Sequence, residues 1–117
     1  MKFKFEDLKI GQKSMDLGEE IYLLSKRFPE TEKFNLSSQI LRAVDSIVLN
    51  ISEGSILQTG PEYRKFIGYS IRSLAEVVTC LFKAQRRDYM LKEDFLSYYR
   101  DCHDLMNMMI AFRKVII

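Results

Sequence analysis

The feature that most constrains the fold of this chain is the apolar repeat between Asn35 and Gly54. Apolar side chains recur there at every third or fourth position, so they share one face of a helix. The members of this repeat are Leu36, Ile40, Ala43, Val44, Ile47 and Ile51. Asn35 and Ser37 are both of a type that caps a first helical turn. The pattern predicts an amphipathic helix from about Asn35 to Ser55.

Three other segments have the same period, and we predict helices over about Asp7 to Phe28, Pro61 to Asp88 and Lys92 to Val115. The two prolines, Pro29 and Pro61, both fall where the period breaks, as expected of a residue that ends a helix or occupies its first turn. Short connections place each helix antiparallel to the one before it. The sequence therefore predicts an all-α fold, an antiparallel up-down-up-down four-helix bundle.

The composition indicates one domain, residues 1–117, with its own core, because 47% of the 117 residues are hydrophobic. Lys and Arg number 18 against 16 Asp and Glu, and the net charge of +2 by itself requires neither a nucleic acid nor a membrane as partner. Cys80 and Cys102 stand outside any CxxC pattern, and the frequent charges near the N-terminus argue against a signal peptide. We expect a reduced, cytoplasmic protein without a membrane-spanning helix.

The first predicted helix has apolar residues on two sides. One stripe, from Ile10 to Phe28, advances by steps of four and three and is assigned to the core. A second line lies more than a quarter-turn away, and we call it the glycine seam: Leu8, Gly11, Met15, Gly18 and Tyr22. Each glycine in a helix interior costs about 1 kcal/mol relative to alanine, which suggests close approach by another group. Two interpretations stay open, an interface between copies of this chain or a helix wrapped by its own bundle.

A row of basic residues follows one face of the third predicted helix, opposite its core stripe. At 3.6 residues per turn the row spans roughly a third of a turn and includes Tyr69. Its basic members are Lys65, Arg72, Lys83, Arg86 and Arg87. Accessible Lys and Arg side chains bind phosphates, and an aromatic ring can stack on an unpaired base. Glu76 lies at the centre of the row in a position to pair with Arg72 or Lys83, so a solvated helix face is the other interpretation.

Polar residues interrupt the apolar repeat near its end, at Asn50 and Glu53, beside Gly54. Polar groups on a buried face need hydrogen-bond partners, because burial without them destabilises the fold. We interpret Asn50 and Glu53, with Glu76 on the third helix, as structural polar groups that fix the helix register. A carboxylate that acts in catalysis is the alternative.

The sequence contains no catalytic or metal-binding pattern. The one histidine, His103, follows Arg100 at the position where a di-iron bundle requires a glutamate. Its neighbour Cys102 cannot face it on a helix, because adjacent side chains point in different directions. Residues 55–60 lack the lysine of a phosphate-binding loop. We therefore expect no enzymatic activity, no cofactor and no metal.

Several short motifs together resemble a known family. They are Phe5-Glu6-Asp7-Leu8-Lys9-Ile10-x-Gln12-Lys13, Ser38-Gln39-Ile40-x-Arg42-Ala43, Ser46-Ile47, Asn50-Ile51-x-Glu53-Gly54 and Ser73-Leu74-Ala75-Glu76. The set spans nearly the whole chain and is similar to the bacterial four-helix-bundle proteins encoded by intervening sequences in large-subunit ribosomal RNA genes. The resemblance implies an antiparallel bundle and a homopentameric ring. Through related accessory proteins of diversity-generating retroelements it also implies RNA binding.

The chain departs from the family where a short basic segment usually follows Glu-Gly, because residues 55–60 carry no charge. The remaining nucleic-acid-binding candidates are Arg42, Lys65, Arg72, Lys83, Arg86 and Arg87. We expect a non-catalytic scaffold, a homopentamer, that binds RNA weakly and without reading its sequence. The alternative is a protein–protein adaptor whose partner covers the methionine-rich surface of the fourth helix or the apolar C-terminal residues.

Overall fold

Four α-helices form the chain in a computed structural model that describes residues 2–56 and 58–117. They are α1 (Lys9–Ser25), α2 (Leu36–Gly54), α3 (Gly60–Arg86) and α4 (Lys92–Lys114). Two short 3-10 helices, Lys4–Asp7 and Glu30–Glu32, precede α1 and α2. Met1 and Leu57 lie outside the described residues, and Leu57 belongs to the uncharged connection between α2 and α3.

The helix predicted over about Asp7 to Phe28 is confirmed, and it is two residues shorter at its start and three residues shorter at its end. Asp7 belongs to a 3-10 helix and Leu8 is extended, with a ψ of 128°, so the α-helix begins at Lys9. The chain leaves the helix after Ser25, yet Phe28 is still buried. The apolar period continues through both breaks because Leu8 and Phe28 pack on the same core as the helix between them.

Hydrogen bonds between α2 and α3 show that these helices are antiparallel. Ser73 donates its hydroxyl hydrogen to Ser46 Oγ across 2.9 Å, and Ser70 donates to the carbonyl oxygen of Ile47 across 2.7 Å. The residue number therefore increases along α2 in the direction in which it decreases along α3. Each helix packs on the next, and α1 packs on α4, which closes a bundle of 43 × 23 × 23 Å. The predicted all-α four-helix bundle is confirmed, and the antiparallel pairing of α2 and α3 agrees with the predicted up-down-up-down order.

Buried apolar side chains from all four helices form the core. The predicted core stripes of α1 and α2 are confirmed, because each of their members is buried. Ser14, the polar member of the α1 stripe, donates its hydroxyl hydrogen to the carbonyl oxygen of Ile10 across 2.6 Å and so has a partner. The helical period of α4 places Tyr99 in line with Phe95 and Cys102 and predicts a core position for it, but this prediction is wrong. Its ring is 36% exposed and stacks on Phe95 at the bundle surface, with centroids 5.9 Å apart.

The end of α2 approaches α3 closely at Gly54. A methyl group on Gly54 would lie 2.6 Å from Phe66 Cβ and 3.2 Å from Tyr63 Cδ1. Phe66 Cβ is attached directly to the backbone, so it cannot move aside without the helix. Glycine at this position therefore sets how closely α2 and α3 can pack.

Local signals bound α3 at both ends. Thr59 Oγ1 accepts a hydrogen bond from the backbone N–H of Glu62 across 3.3 Å and caps the first turn. At the other end, Asp88 has a positive φ of 60°, and the N–H of Tyr89 donates to the carbonyl oxygen of Ala84 across 2.9 Å. This closure is typical of a helix C-terminus and explains why the chain turns before α4. None of the described helices has the length and apolar character needed to cross a membrane.

Candidate nucleic-acid interface

The basic row predicted for the third helix lies on the exposed face of α3. Lys65, Arg72, Lys83 and Arg86 are all exposed. None of the four takes part in an ion pair among the ion pairs of residues 2–56 and 58–117. We call these four residues the basic face. Its positive charges are open to solvent and to an anionic partner.

Glu76 is exposed at the centre of the basic face. The predicted ion pair with Arg72 or Lys83 is absent, because no carboxylate–cation distance of 4.0 Å or less in the described chain involves Glu76. Its negative charge reduces the positive potential of the basic face, but it pairs with none of the basic side chains. An exposed pair at this spacing would in any case contribute only about 0.3–0.5 kcal/mol.

A groove between the first half of α3 and the end of α4 gathers further basic groups. We call it the basic groove, and its lining residues are Pro61, Arg64, Lys65, Gly68, Tyr69, Arg72 and Arg113. The lining contains four cationic side chains, one aromatic ring and no acidic side chain. Sequence analysis missed Arg64 and Arg113, because Arg64 lies off the row and Arg113 is distant in sequence.

The two additional arginines are held by backbone carbonyl groups. Arg113 donates from Nε to the carbonyl oxygen of Arg64 across 2.9 Å, and Arg64 donates from Nη1 to the carbonyl oxygen of Ile116 across 2.9 Å. A carbonyl oxygen is neutral, so each contact orients its guanidinium without supplying a counter-charge, and neither arginine takes part in an ion pair among residues 2–56 and 58–117. These contacts bring the ends of α3 and α4 together and fix one side of the basic groove.

Gly68 and Tyr69 form the remaining part of the basic groove. Tyr69 is 37% exposed and meets Phe66 edge to face, with ring centroids 5.8 Å apart. A methyl group on Gly68 would lie 3.6 Å from Arg113 Nε, an ordinary contact distance. Alanine would therefore fit, although glycine costs about 1 kcal/mol relative to alanine in a helix interior. Packing alone does not explain why this position is glycine.

Arg42 lies apart from the basic groove, in a second surface depression between α2 and α3. Arg42 and Lys83 line this depression together with Glu76 and Cys80. The structure thus places four of the predicted nucleic-acid candidates in two depressions, one between α3 and α4 and one between α2 and α3. Lys65 and Arg72 belong to the basic groove, whereas Arg42 and Lys83 share their depression with a carboxylate.

Arg87 has a structural partner, which distinguishes it from the other predicted nucleic-acid contacts of α3. Arg87 donates from Nη1 to Glu32 Oε2 across 2.9 Å, and the carboxylate is only 6% exposed. Glu32 also accepts hydrogen bonds from Tyr89, Asn35 and the N–H of Leu36. The bond from Tyr89 is the largest influence that holds the pKa of Glu32 below its ordinary value. Arg87 therefore compensates a buried carboxylate at the start of α2.

The predicted polar network of Asn50, Glu53 and Glu76 is wrong as a set. Asn50 donates to the carbonyl oxygen of Ser46 across 2.8 Å and to Ser46 Oγ across 3.0 Å. Ser46 Oγ in turn accepts from Ser73, so Asn50 does join α2 to α3. Glu53 and Glu76 are exposed. Their positions follow the helical period, which turns both carboxylates away from the contact between the helices.

The glycine seam of α1 separates into a covered part and an open part. A methyl group on Gly11 would lie 2.6 Å from the carbonyl oxygen of Phe5, so the N-terminal 3-10 helix covers Gly11, and Leu8 packs on the core. Gly18 has no atom within 4 Å of such a methyl group. Met15 and Tyr22 are 50% and 44% exposed. The close approach at Gly11 is explained within one chain, whereas the rest of the seam remains uncovered in it.

Acidic residues line the opposite edge of the bundle, between α1 and α4. Asp16, Glu20, Asp101 and Asp104 border one shallow depression with Lys13. Partial burial raises the pKa of Glu20, and the charges of Asp101 and Asp16 raise it further. Since α3 packs on α2 and α4 but α1 lies diagonally across the bundle, the acidic edge and the basic face point to different sides.

The cysteines and the histidine differ in their exposure to solvent. Both Cys80 and Cys102 are buried and carry free thiols. Burial, with smaller effects of Asp101 and Glu20, raises the pKa of Cys102 to about 12. His103 is exposed. No group of three metal-ligating His, Cys, Asp or Glu side chains occurs within the described residues.

The methionines of α4 do not form an open surface. Met109 is buried, and Met106 and Met108 pack partly buried against the core. At the C-terminal end, Val115 is 72% exposed, while Ile116 packs on the core. Of the two apolar surfaces considered for a protein partner, only the C-terminal one is exposed.

Comparison with known proteins identifies the family. A family model described as 23S rRNA-intervening sequence protein matches residues 6–111. This chain belongs to that family. Among solved structures, the chain is similar to a crystal structure, at 1.70 Å resolution, of a protein with unknown function from the S23 ribosomal protein family of Bacteroides thetaiotaomicron. The TM-score is 0.83 and the identity 25%, over 91% of this chain and 99% of that one. No curated protein matches the chain.

Several motif residues of this 23S rRNA-intervening sequence family member pack at the contact between helices. Ser46, Ile47 and Gly54 of α2 and Ser73 of α3 all lie at the contact between the two helices. Lys65 and Arg113 lie outside these motifs. The quoted motifs therefore do not by themselves predict the basic groove.

Proposed function

We propose that this family member is a non-catalytic scaffold that assembles into a homo-oligomeric ring and binds RNA through the basic face of α3 without reading base sequence. Five copies per ring is the number that the sequence resemblance implies. The observation that carries the RNA proposal is the basic face itself: Lys65, Arg72, Lys83 and Arg86 are exposed and free of ion pairs among the described residues. Such a row neutralises phosphates and releases their counterions.

The open part of the glycine seam supports assembly. Met15 and Tyr22 leave apolar surface exposed beside Gly18, where a second backbone has room to approach. A contact through α1 leaves α3 accessible, because α1 and α3 lie diagonally across the bundle. Repetition by rotation closes such contacts into a ring, and each copy then adds its basic face to one field.

The chemistry of the remaining reactive groups supports a scaffold rather than an enzyme. Burial raises the pKa of both Cys80 and Cys102, which disfavours the thiolate needed for nucleophilic attack. His103 stacks on Tyr99 at the surface, with ring centroids 6.2 Å apart, and its Nδ1 lies 3.4 Å from Asn107 Nδ2. Its neighbour Cys102 points in another direction on the helix.

Light scattering on a sizing column in low salt, with absorbance at 260 and 280 nm, tests both parts of the proposal. We expect a mass near that of five chains, and excess absorbance at 260 nm from bound nucleic acid. A monomer would overturn the ring. The chain contains no tryptophan, so nucleic acid contributes visibly to the absorbance.

Charge-reversal variants distinguish the effect of the basic face on RNA binding from the effect of the overall net charge. Arg72→Glu with Arg86→Glu should weaken RNA binding and reduce its dependence on salt, because fewer counterions are released. The matched control, Lys9→Glu with Lys92→Glu, changes net charge equally at exposed positions outside α3. Equal effects of the two pairs would remove the basic face from the proposal.

A protein–protein adaptor is the competing function, and the exposed side chain of Val115 favours it. A partner held by this apolar surface would remain bound in moderate salt. Removal of residues 115–117 would then abolish binding of that partner. Val115→Asp should abolish it too and leave RNA binding unchanged, because this substitution keeps the Ile116 carbonyl group that orients Arg64.

A further inference from the structure

The basic groove has three properties of a nucleotide site. It carries four cationic side chains, it contains an accessible aromatic ring, and its lining includes no carboxylate. Its volume of about 280 Å³ is close to the lower end of small-molecule sites, about 300–1,000 Å³. The groove therefore has room for one nucleotide unit.

We propose that the basic groove binds one nucleotide of a single-stranded nucleic acid, with its phosphate on Lys65 and Arg72 and its base against the ring of Tyr69. This inference rests on the proposed RNA-binding function and specifies its strand state. A tyrosine can stack only on a base whose face is free, and bases in a duplex are covered by their neighbours. The groove thus favours single strands over duplexes.

Two arginines prepare the groove for an anion. Arg64 and Arg113 are oriented by carbonyl oxygens, so the cationic wall exists before any ligand arrives. Preformed orientation lowers the entropy lost on binding. Gly68 keeps the floor between Arg113 and Tyr69 free of side-chain atoms, although alanine would fit there.

The rest of the strand can follow the basic face. Lys83 lies eleven residues beyond Arg72 on the same side of α3, or about 16 Å along the helix axis. Lys83 and Arg86 can meet further phosphates without contacting bases. The basic groove supplies the stacking contact, and the basic face supplies the salt-dependent part of the binding affinity through phosphate contacts.

The decisive experiment measures fluorescence anisotropy of the full chain with three labelled probes of equal length: oligouridine, an abasic single strand and an RNA duplex. We expect oligouridine to bind about tenfold more tightly than the abasic strand, the scale of one stacked base. Equal affinity for these two probes would overturn the groove proposal. This comparison uses the wild-type chain and does not depend on the folding of any variant.

Paired variants test whether the preference for oligouridine over the abasic strand arises in the basic groove. Tyr69→Leu should reduce the preference for oligouridine over the abasic strand to near unity, while Tyr69→Phe should keep it. Gly68→Leu should weaken oligouridine binding about tenfold by filling the floor, and Gly68→Ala should leave it unchanged. Circular dichroism melting checks that each variant is folded.

The outcomes distinguish the two proposals. If Tyr69→Leu and Gly68→Leu bind as the wild type does but Arg72→Glu with Arg86→Glu binds less, the groove proposal fails and the basic face stands. If the wild-type chain binds none of the probes in low salt, both proposals fail. Duplex binding as tight as oligouridine binding would also overturn the single-strand preference.

Discussion

Tyr89 donates the hydrogen of its hydroxyl group to Glu32 Oε2 across 2.6 Å, and this bond joins the α3–α4 turn to the start of α2. Asp88 lies between Arg87 and Tyr89 in the chain and adopts a positive φ. This turn brings Arg87 and Tyr89 to the same Glu32 carboxylate. Glu32 also accepts the N–H of Leu36, so one buried carboxylate serves as a cap and as an ion-pair partner.

Glu32→Gln should lower the melting temperature, because an amide cannot accept from all of these donors and leaves Arg87 without its counter-charge. The control is Glu30→Gln, an exposed carboxylate two residues earlier that approaches Lys33 only at 4.0 Å. Thermal unfolding followed by circular dichroism at pH 7 should show a clear loss for Glu32→Gln and almost none for Glu30→Gln. Equal losses would contradict the role given to the buried carboxylate.

The same site predicts a defined pH dependence. The folded-state pKa of Glu32 lies below its ordinary value of 4.5, so the charged form is favoured by folding. The stabilisation is fully present above pH 4.5 and is lost as the pH falls through the lowered pKa. The difference in melting temperature between the wild type and Glu32→Gln should therefore be constant above that pH and shrink during acidification. A difference that grows in acid would contradict this sign.

Gly54 and Gly18 should respond oppositely to alanine. Gly54→Ala should destabilise the fold by about 1–3 kcal/mol, because the new methyl group would lie 2.6 Å from Phe66 Cβ and force α2 away from α3. Gly18→Ala has open space and should gain up to about 1 kcal/mol of helix propensity. Urea unfolding at one protein concentration measures both changes, and a stabilising Gly54→Ala would refute the close contact.

The elements that sequence reasoning predicted well are those encoded by local spacing. The stripe from Ile10 to Phe28 repeats at the helical period, so its burial could be read without any knowledge of the other helices. Glu32 could not be found in this way, because Arg87 and Tyr89 lie 55 and 57 residues further along the chain. Its only local signal is an acidic residue four positions before the N–H of Leu36.

The candidate site shows the same division between local and distant signals. The basic face follows from periodicity within α3, but Arg113 reaches the groove only through the packing of α4 on α3. The burial predicted for Glu53 is wrong because Glu53 borders the apolar stripe of α2. A residue at that border can face either α3 or the solvent. One helical position decides between burial against α3 and exposure to solvent.

Tyr63 carries a buried hydroxyl group that finds no hydrogen-bond partner among the described residues. Burial raises the pKa of this phenol, in agreement with its apolar surroundings. Tyr63→Phe should therefore stabilise the fold by about 1 kcal/mol or leave it unchanged, because no bond is lost. Tyr89→Phe is the contrasting variant and should destabilise, since it removes the donor to Glu32. Chemical unfolding compares the two, and a large loss in Tyr63→Phe would reveal a missed partner.

Cys102 should resist thiol reagents in the folded protein. Burial raises the pKa of its thiol to about 12, so the reactive thiolate is scarce at pH 8, and the side chain is fully buried. Labelling with iodoacetamide followed by peptide mass spectrometry should show slow modification of Cys102. Its rate should rise by orders of magnitude in denaturant. Rapid labelling under native conditions would contradict the burial.

The open part of the glycine seam yields the sharpest test of assembly. Met15→Glu places a charge on a side chain that is 50% exposed in the single chain, so the fold should persist while a contact through the seam is lost. Ile110→Glu on α4 is the matched control, because Ile110 is 40% exposed and is also a large apolar residue. Light scattering should then show smaller particles for Met15→Glu alone.

Gly18→Ala separates stability from assembly at the same surface. The added methyl group raises helix propensity within one chain, but it fills the space that a neighbouring backbone needs for close approach. If the seam is an interface, the variant should melt higher as a dilute single chain and associate more weakly at higher concentration. An increase in both properties would place the interface on another face, because only a contact away from Gly18 could benefit from a stiffer helix without meeting the new methyl group.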